Sequence, residues 1–357
     1  MLSPNARSLY TAALTPPPGM VFDEAIGTTF SMDPAVLLSV PVHLALLGGN
    51  QPTAMRDGIA VLEAVRRLSN RITVYAQRGR LQVPSPPHVL YALLESMVVE
   101  VNAPRGGVFH PKLWLMRFME PENQTNVVLR LMVLSRNLTT DRSWDVALTL
   151  EGKPIGRNRS ENQALGQLFA KLPGLAFGKV DDSRKEQAKH LAAELRRTKW
   201  ELPAGFESVS FRVLGLKRGG WRPSWSKRLA VISPFCTNAA LQQLAETTES
   251  ANALITRPET FATLSARSRA LFGRCLALDE AAETEDGEDV EESTAYDTHG
   301  LHAKVYVFEQ GWDTHVVLGS ANATNAALLA AVNVEVLAEI VGKRSRVGGV
   351  ERLLDVA

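Results

Sequence analysis

Two histidine-lysine triplets carry the most specific chemical signal in this sequence. His110-Pro111-Lys112 and His302-Ala303-Lys304 each head an apolar run, and each is followed by a second apolar run that closes on Ser-x-Asn-x-Thr. Ser135 and Asn137 complete the first set, 25 residues after His110; Ser320 and Asn322 complete the second, 18 residues after His302. With 7 histidines and 11 lysines in 357 residues, two matched triplets exceed what composition alone produces. The Ser-x-Asn triplet by itself carries no weight, because it also occurs at Ser3/Asn5, Ser160/Asn162 and Ser250/Asn252. Side chains two apart on a strand share a face, so each His and Lys should point at one spot. Two such sets facing each other would place a histidine on either side of a phosphate. One histidine attacks phosphorus, the other protonates the leaving oxygen, and the roles reverse with water. Lys112, Lys304, Asn137 and Asn322 would stabilise charge on the non-bridging oxygens, with Ser135 and Ser320 as further donors to the substrate. Asp145 and Glu335 follow each Asn on the next strand; they either orient a histidine through its second ring nitrogen or are ordinary strand-end carboxylates.

The elements that must hold these groups read as interleaved strands and helices, the pattern of an α/β fold. Strands are predicted over 22–30, 71–75, 97–101, 108–118, 126–134 and 144–150 in the first half, with helices near 7–14, at Pro34 and over 54–68. Residues 151–199 are polar with helical periodicity over 161–172 and 183–197. A second series follows: strands at 209–216, 229–232, 253–255, 301–308, 315–318 and 334–340, and helices at 238–247, 259–272 and 325–331. The division expected is an N-terminal half (1–155) with the first triplet, a helical connector (156–205), and a C-terminal half (206–357) with the second.

The chain pattern resembles the phospholipase D superfamily, whose members carry two H-x-K motifs each followed by Asn. That resemblance covers about Asp23 to Ile340. It implies two fused α/β sandwich halves with pseudo-twofold symmetry, mixed sheets flanked by helices, and one active site in the seam. It also implies a covalent phosphohistidine and no cofactor or metal, with His110 as nucleophile and His302 as general acid; the residues themselves do not order the two. The family's longer motif has an Asp five residues after each Lys, where this chain has Arg117 and Glu309. The departure, with the S-x-N-L-T and S-A-N-A-T endings, is similar to the tyrosyl-DNA phosphodiesterase branch and its bacterial nuclease relatives. A nuclease, with DNA favoured as partner, is therefore the leading expectation, and a role in restriction or phage defence with partner proteins is implied by the resemblance alone. A lipid-cleaving phospholipase and a non-catalytic nucleic-acid-binding subunit are the alternatives.

Composition agrees with a folded domain: 45% hydrophobic and 22% charged residues. Net charge is only +1, but ten acidic residues and no basic one fall within 279–297, leaving +11 on the rest, where 28 of the 39 basic residues are Arg. Arginine suits phosphate because its planar guanidinium makes paired contacts with oxygens. The acidic segment is either a solvated loop or a nucleic-acid mimic lying over the basic cleft. Trp221 and Trp225, within KRGGWRPSWSKR, read either as a base-stacking platform or as a linker packed on the core. His43, His88, His190 and His315 have no motif context, His299, three residues before His302, reads either as lining the site entrance or as a loop histidine, and Cys236 and Cys275 read as core thiols. The sequence shows no signal peptide and no apolar run long enough to span a bilayer, so a cytoplasmic protein without membrane contact is expected. Since one chain carries both triplets, the site should not need an oligomer.

Overall fold

The structure, a computed structural model, describes residues 10–46, 58–83, 89–140, 143–277 and 300–354. The acidic segment 279–297, His88 and His299 lie outside them. Eight strands precede the end of the connector: β1 (Val21–Thr29), β2 (Ile72–Gln77), β3 (Val98–Val101), β4 (Leu113–Glu120), β5 (Asn123–Leu134), β6 (Ser143–Trp144), β7 (Ala147–Pro154) and β8 (Thr198–Trp200). Eight follow it: β9 (Phe206–Leu214), β10 (Ser226–Ile232), β11 (Thr248–Thr256), β12 (Arg274–Ala277), β13 (Gly300–Leu301), β14 (Val305–Gln310), β15 (Asp313–Gly319) and β16 (Glu335–Lys343).

They form two seven-stranded mixed sheets of matching design, ordered β3-β2-β1-β4-β5-β7-β8 and β12-β11-β10-β14-β15-β16-β9. In each, three strands run parallel and the rest antiparallel. Period-two alternation explains how one sheet serves two cores. Leu113 and Leu115 of β4 and Val305 and Val307 of β14 enter a central layer shared by both sheets. The residues between them, Trp114 and Met116 in one and Tyr306 and Phe308 in the other, enter separate outer cores. Gly27 of β1 is required by this packing, because a Cβ there would stand 3.0 Å from the Trp114 ring. The helices expected in the connector, Gln163–Lys171 and Asp182–Arg197, put Leu165, Leu168, Phe169, Leu191 and Leu195 into the central layer, while β8 completes the first sheet.

Two local expectations change and one open reading is decided. The strands predicted over 108–118 and 301–308 do not include the H-x-K triplets: β4 starts at Leu113 and β14 at Val305, directly after each lysine. The triplets run outside the ladders because their backbone turns to the opposite half for hydrogen bonds. The helix predicted over 259–272 is two short ones, Pro258–Thr263 and Ala266–Arg269, since Leu264 is extended and Ser265 Oγ caps the second by accepting from Ser268 N. Trp221 is buried edge-on against Tyr306, so it is core, whereas Trp225 is exposed.

Candidate active site

The two triplets meet at the seam, and each is held there by the other half. His110 N donates to Val334 O (2.9 Å), one residue ahead of Glu335. His302 N and Ala303 N both donate to Trp144 O (3.0 Å), one residue ahead of Asp145, and β13 pairs with β6 there. The crossing repeats at side-chain level. His110 Nδ1 lies 3.0 Å from Glu335 Oε2, a carboxylate of the other half that is fully buried. Phe30 packs edge-on against the His110 ring at 5.2 Å.

The loops after β5 and β15 match atom for atom. Ser135 Oγ donates to Asp145 Oδ1 (2.9 Å) and accepts from Val146 N (2.9 Å). Ser320 Oγ donates to Glu335 Oε2 (2.5 Å) and accepts from Val336 N (3.0 Å). In this structure both serine hydroxyls, expected as donors to a substrate, donate to the carboxylates of Asp145 and Glu335. Gly319 makes room for this turn: it has φ +153, and a Cβ would meet Val336 O at 2.2 Å. Asn137 and Asn322 follow in matching places, each with a buried Oδ1 that has no hydrogen-bond partner, as does Asp145 Oδ2. Lys112 and Lys304 are nearly buried, and each Nζ donates to the main-chain oxygen of its own histidine, Lys112 to His110 O at 3.0 Å.

Burying two lysines together shapes every titration here. Burial, then repulsion from Lys304, holds the Lys112 ammonium well below its ordinary value; burial lowers Lys304 to about 8. Burial also pushes Glu335 up, but the His110 ring, Lys112 and the Ser320 hydroxyl outweigh it and keep the carboxylate ionised. Asp145 moves the other way, burial outweighing Ser135 and Arg136. Burial lowers His110 despite Glu335, with Lys112 and Lys304 adding to the fall. His302 is lowered to about 3 by burial and then by Lys304, Arg257, Lys112 and Arg136. Burial thus shifts both imidazoles toward the neutral form, and an ionised Glu335 can only accept, so the His110 ring donates from Nδ1 and leaves Nε2 facing away as the acceptor.

Sequence reasoning missed Arg136 and Arg257, which act on His302; a position-by-position comparison of the halves, where Arg136 stands against Ala321, is the signal that finds Arg136. The positions five residues after each lysine serve the framework. Arg117 pairs with Asp23 and with Glu194 (2.9 Å) of the connector. Glu309 is buried, binding Arg344 Nη1 and Val350 N, both at 2.9 Å. His43, His190 and His315 contact Ser39 O, Glu24 and Glu339 and are not part of this cluster. Among the described residues, no helix is long and apolar enough to cross a membrane.

No protein-family model and no curated protein matches the sequence. Among solved structures the chain is similar to yeast tyrosyl-DNA phosphodiesterase, at 13% identity and TM-score 0.50, covering 92% of this chain and 84% of that one. A histidine-to-alanine variant of the yeast enzyme matches at 13% identity and TM-score 0.52 (90% and 83% covered). A histidine-to-asparagine variant matches at 11% and 0.51, with the same coverage. The likeness is one of fold, and the two-half α/β architecture expected from the phospholipase D resemblance is the architecture of this chain.

Proposed function

We propose that this chain is a phosphodiesterase of nucleic acid, with DNA the favoured substrate, working through a covalent phosphohistidine and needing no metal for the two-histidine chemistry. The observation that carries the reading is the crossed pair of His-Lys-Asn sets, one from each half, meeting around buried lysines with an ionised carboxylate behind one histidine. His110 Nε2 attacks phosphorus while Nδ1–H stays on Glu335, which offsets the positive charge that forms on the ring. The bond to the leaving oxygen breaks, and His302 supplies that oxygen's proton. An arriving phosphate provides for this second role. Burial and then Lys304 and Arg257 depress His302, and the phosphate's negative charge offsets the cations' share, so the ring protonates more readily with substrate bound. In the second step neutral His302 takes a proton from water, the hydroxide oxygen attacks phosphorus, and the P–N bond to His110 breaks. Lys112, Lys304 and the two Asn side chains face charge growing on the non-bridging oxygens.

The test is end-labelled single- and double-stranded DNA and RNA incubated with the protein in excess EDTA, beside His110→Ala and His302→Ala, with an acid quench to trap labelled protein. Cleavage that survives EDTA and is lost in both variants is expected, with an adduct trapped in wild type and absent from His110→Ala. Binding without cleavage of any of these substrates overturns the enzymatic reading in favour of a nucleic-acid-binding subunit.

A further inference from the structure

Two of the differences between the halves lie beside the histidines, and both put a cation on the His302 side. The first is the residue between Ser and Asn: Arg136 in one half, Ala321 in the other. The second lies at the end of the parallel strand next to the central one. Register fixes the equivalence: Tyr75 stands opposite Thr28 and Thr28 opposite Leu113, as Ile255 stands opposite Ile232 and Ile232 opposite Val305. Gln77 and Arg257, two residues further on, are therefore counterparts, and both reach the main chain just ahead of a histidine. Gln77 Oε1 accepts from Phe109 N (2.6 Å), while Arg257 Nε donates to Leu301 O (2.8 Å). Because the halves cross, Arg136 of the first and Arg257 of the second both flank His302. The polar neighbours acting most strongly on His110 are instead Glu335, Lys112 and Lys304.

Each arginine is anchored. Arg136 Nη2 donates to Thr139 O (3.1 Å), and the Arg257 guanidinium lies over the Phe235 ring, 5.1 Å from its centroid. Phe235 is itself 48% exposed. A guanidinium under an open aromatic face is what a single nucleotide needs, cation for phosphate and ring for base. On the His110 side the nearby ring, Phe30, packs edge-on against His110 and carries the Arg80 guanidinium 5.2 Å from its centroid.

We propose that Arg136 and Arg257 form a subsite for the phosphate adjacent to the one being cleaved, on the His302 side of the seam, with Phe235 stacking that nucleotide's base. The inference rests on the phosphodiesterase reading and deepens it. The polynucleotide runs out past His302, where Arg257 stands at the position that Gln77 holds beside His110.

The experiment compares a short single-stranded oligodeoxynucleotide with bis(4-nitrophenyl) phosphate, a diester with no neighbouring phosphate. The variants are Arg136→Ala and Arg257→Gln, each installing the residue that the other half tolerates at the same place, with melting curves to confirm folding. Each variant should lose at least tenfold more kcat/KM on the oligonucleotide than on the diester. The slope of log(kcat/KM) against log salt for the oligonucleotide should fall by about 0.7 per arginine removed. Phe235→Leu should lower oligonucleotide cleavage without changing that slope. Equal losses on both substrates, or an unchanged slope, overturn the subsite. A wild-type protein that cleaves neither substrate refutes the enzymatic reading separately. In that case salt-dependent binding of the oligonucleotide still decides, and equal affinities of wild type and variants overturn the proposal.

Discussion

Replacing Glu335 by Gln keeps the size of the buried side chain and removes only its charge. The carboxylate accepts from His110 Nδ1 and Ser320 Oγ and sits at 0% exposure, so no water takes over for it. Hydrogen bonds to a charged group contribute about 1.5–3 kcal/mol. If that contribution is realised as positive charge forms on the His110 ring, the rate of adduct formation falls by about 10- to 150-fold, since each 1.36 kcal/mol is tenfold. The pH profile moves as well. Glu335 now raises His110 against the effect of burial, so its loss drops His110 further and carries the acidic limb of the single-turnover rate to lower pH. A slower enzyme with its acidic limb displaced downward is the signature of an electrostatic partner, because a purely structural defect would slow the reaction and leave the limb in place. Rapid acid quench of labelled substrate across pH 4 to 8 measures both quantities. Glu335→Gln at wild-type rate with an unmoved limb refutes the reasoning, whatever its melting temperature.

Lys304 is held at about 8, so its charge, present below that pH, is lost above it; kcat/KM should fall along an alkaline limb near pH 8 that titration in wild type will reveal. The same depression means the unfolded chain binds the extra proton between about 8 and 10.5, so this lysine makes stability rise with pH through that window, a rise that Lys304→Met should blunt in melting experiments. Gly319→Ala forces a Cβ against Val336 O at a positive φ, and should cost about 2–4 kcal/mol in chemical denaturation while lowering cleavage through the displaced Ser320. Glu309→Gln should lower the melting temperature, by loosening Arg344 and Val350, with little change in cleavage per folded molecule; a selective loss of activity would place that position in the chemistry after all.

The site was legible to the extent that its chemistry is local. His, Lys, Ser and Asn declare themselves by type and spacing, and the strands before and after them by apolar alternation. What the sequence could not show was the crossing. Nothing near His110 indicates that its carboxylate stands 225 residues away, because that contact follows from how two sheets pack. The serine contacts were hidden for a related reason: a hydroxyl two residues before an Asn looks unpartnered until the buried carboxylate that accepts its proton is in place. Trp221 and Trp225 lie four residues apart in one basic stretch, yet Trp221 is buried against Tyr306 while Trp225 is exposed. The split of the 259–272 helix turned on Ser265, whose side chain competes for backbone amides as helix-capping serines do.

The crossing also sets the terms on which this molecule could be divided. Each histidine draws its support from the opposite half, through Val334 behind one and Trp144 behind the other, so a fragment ending in the connector would carry a triplet with nothing to lean on. Two separately expressed halves would have to find one another before either acquired a working imidazole. Reassembly and competence would then be one event, and recovered cleavage would report association of the pieces with no background from either alone.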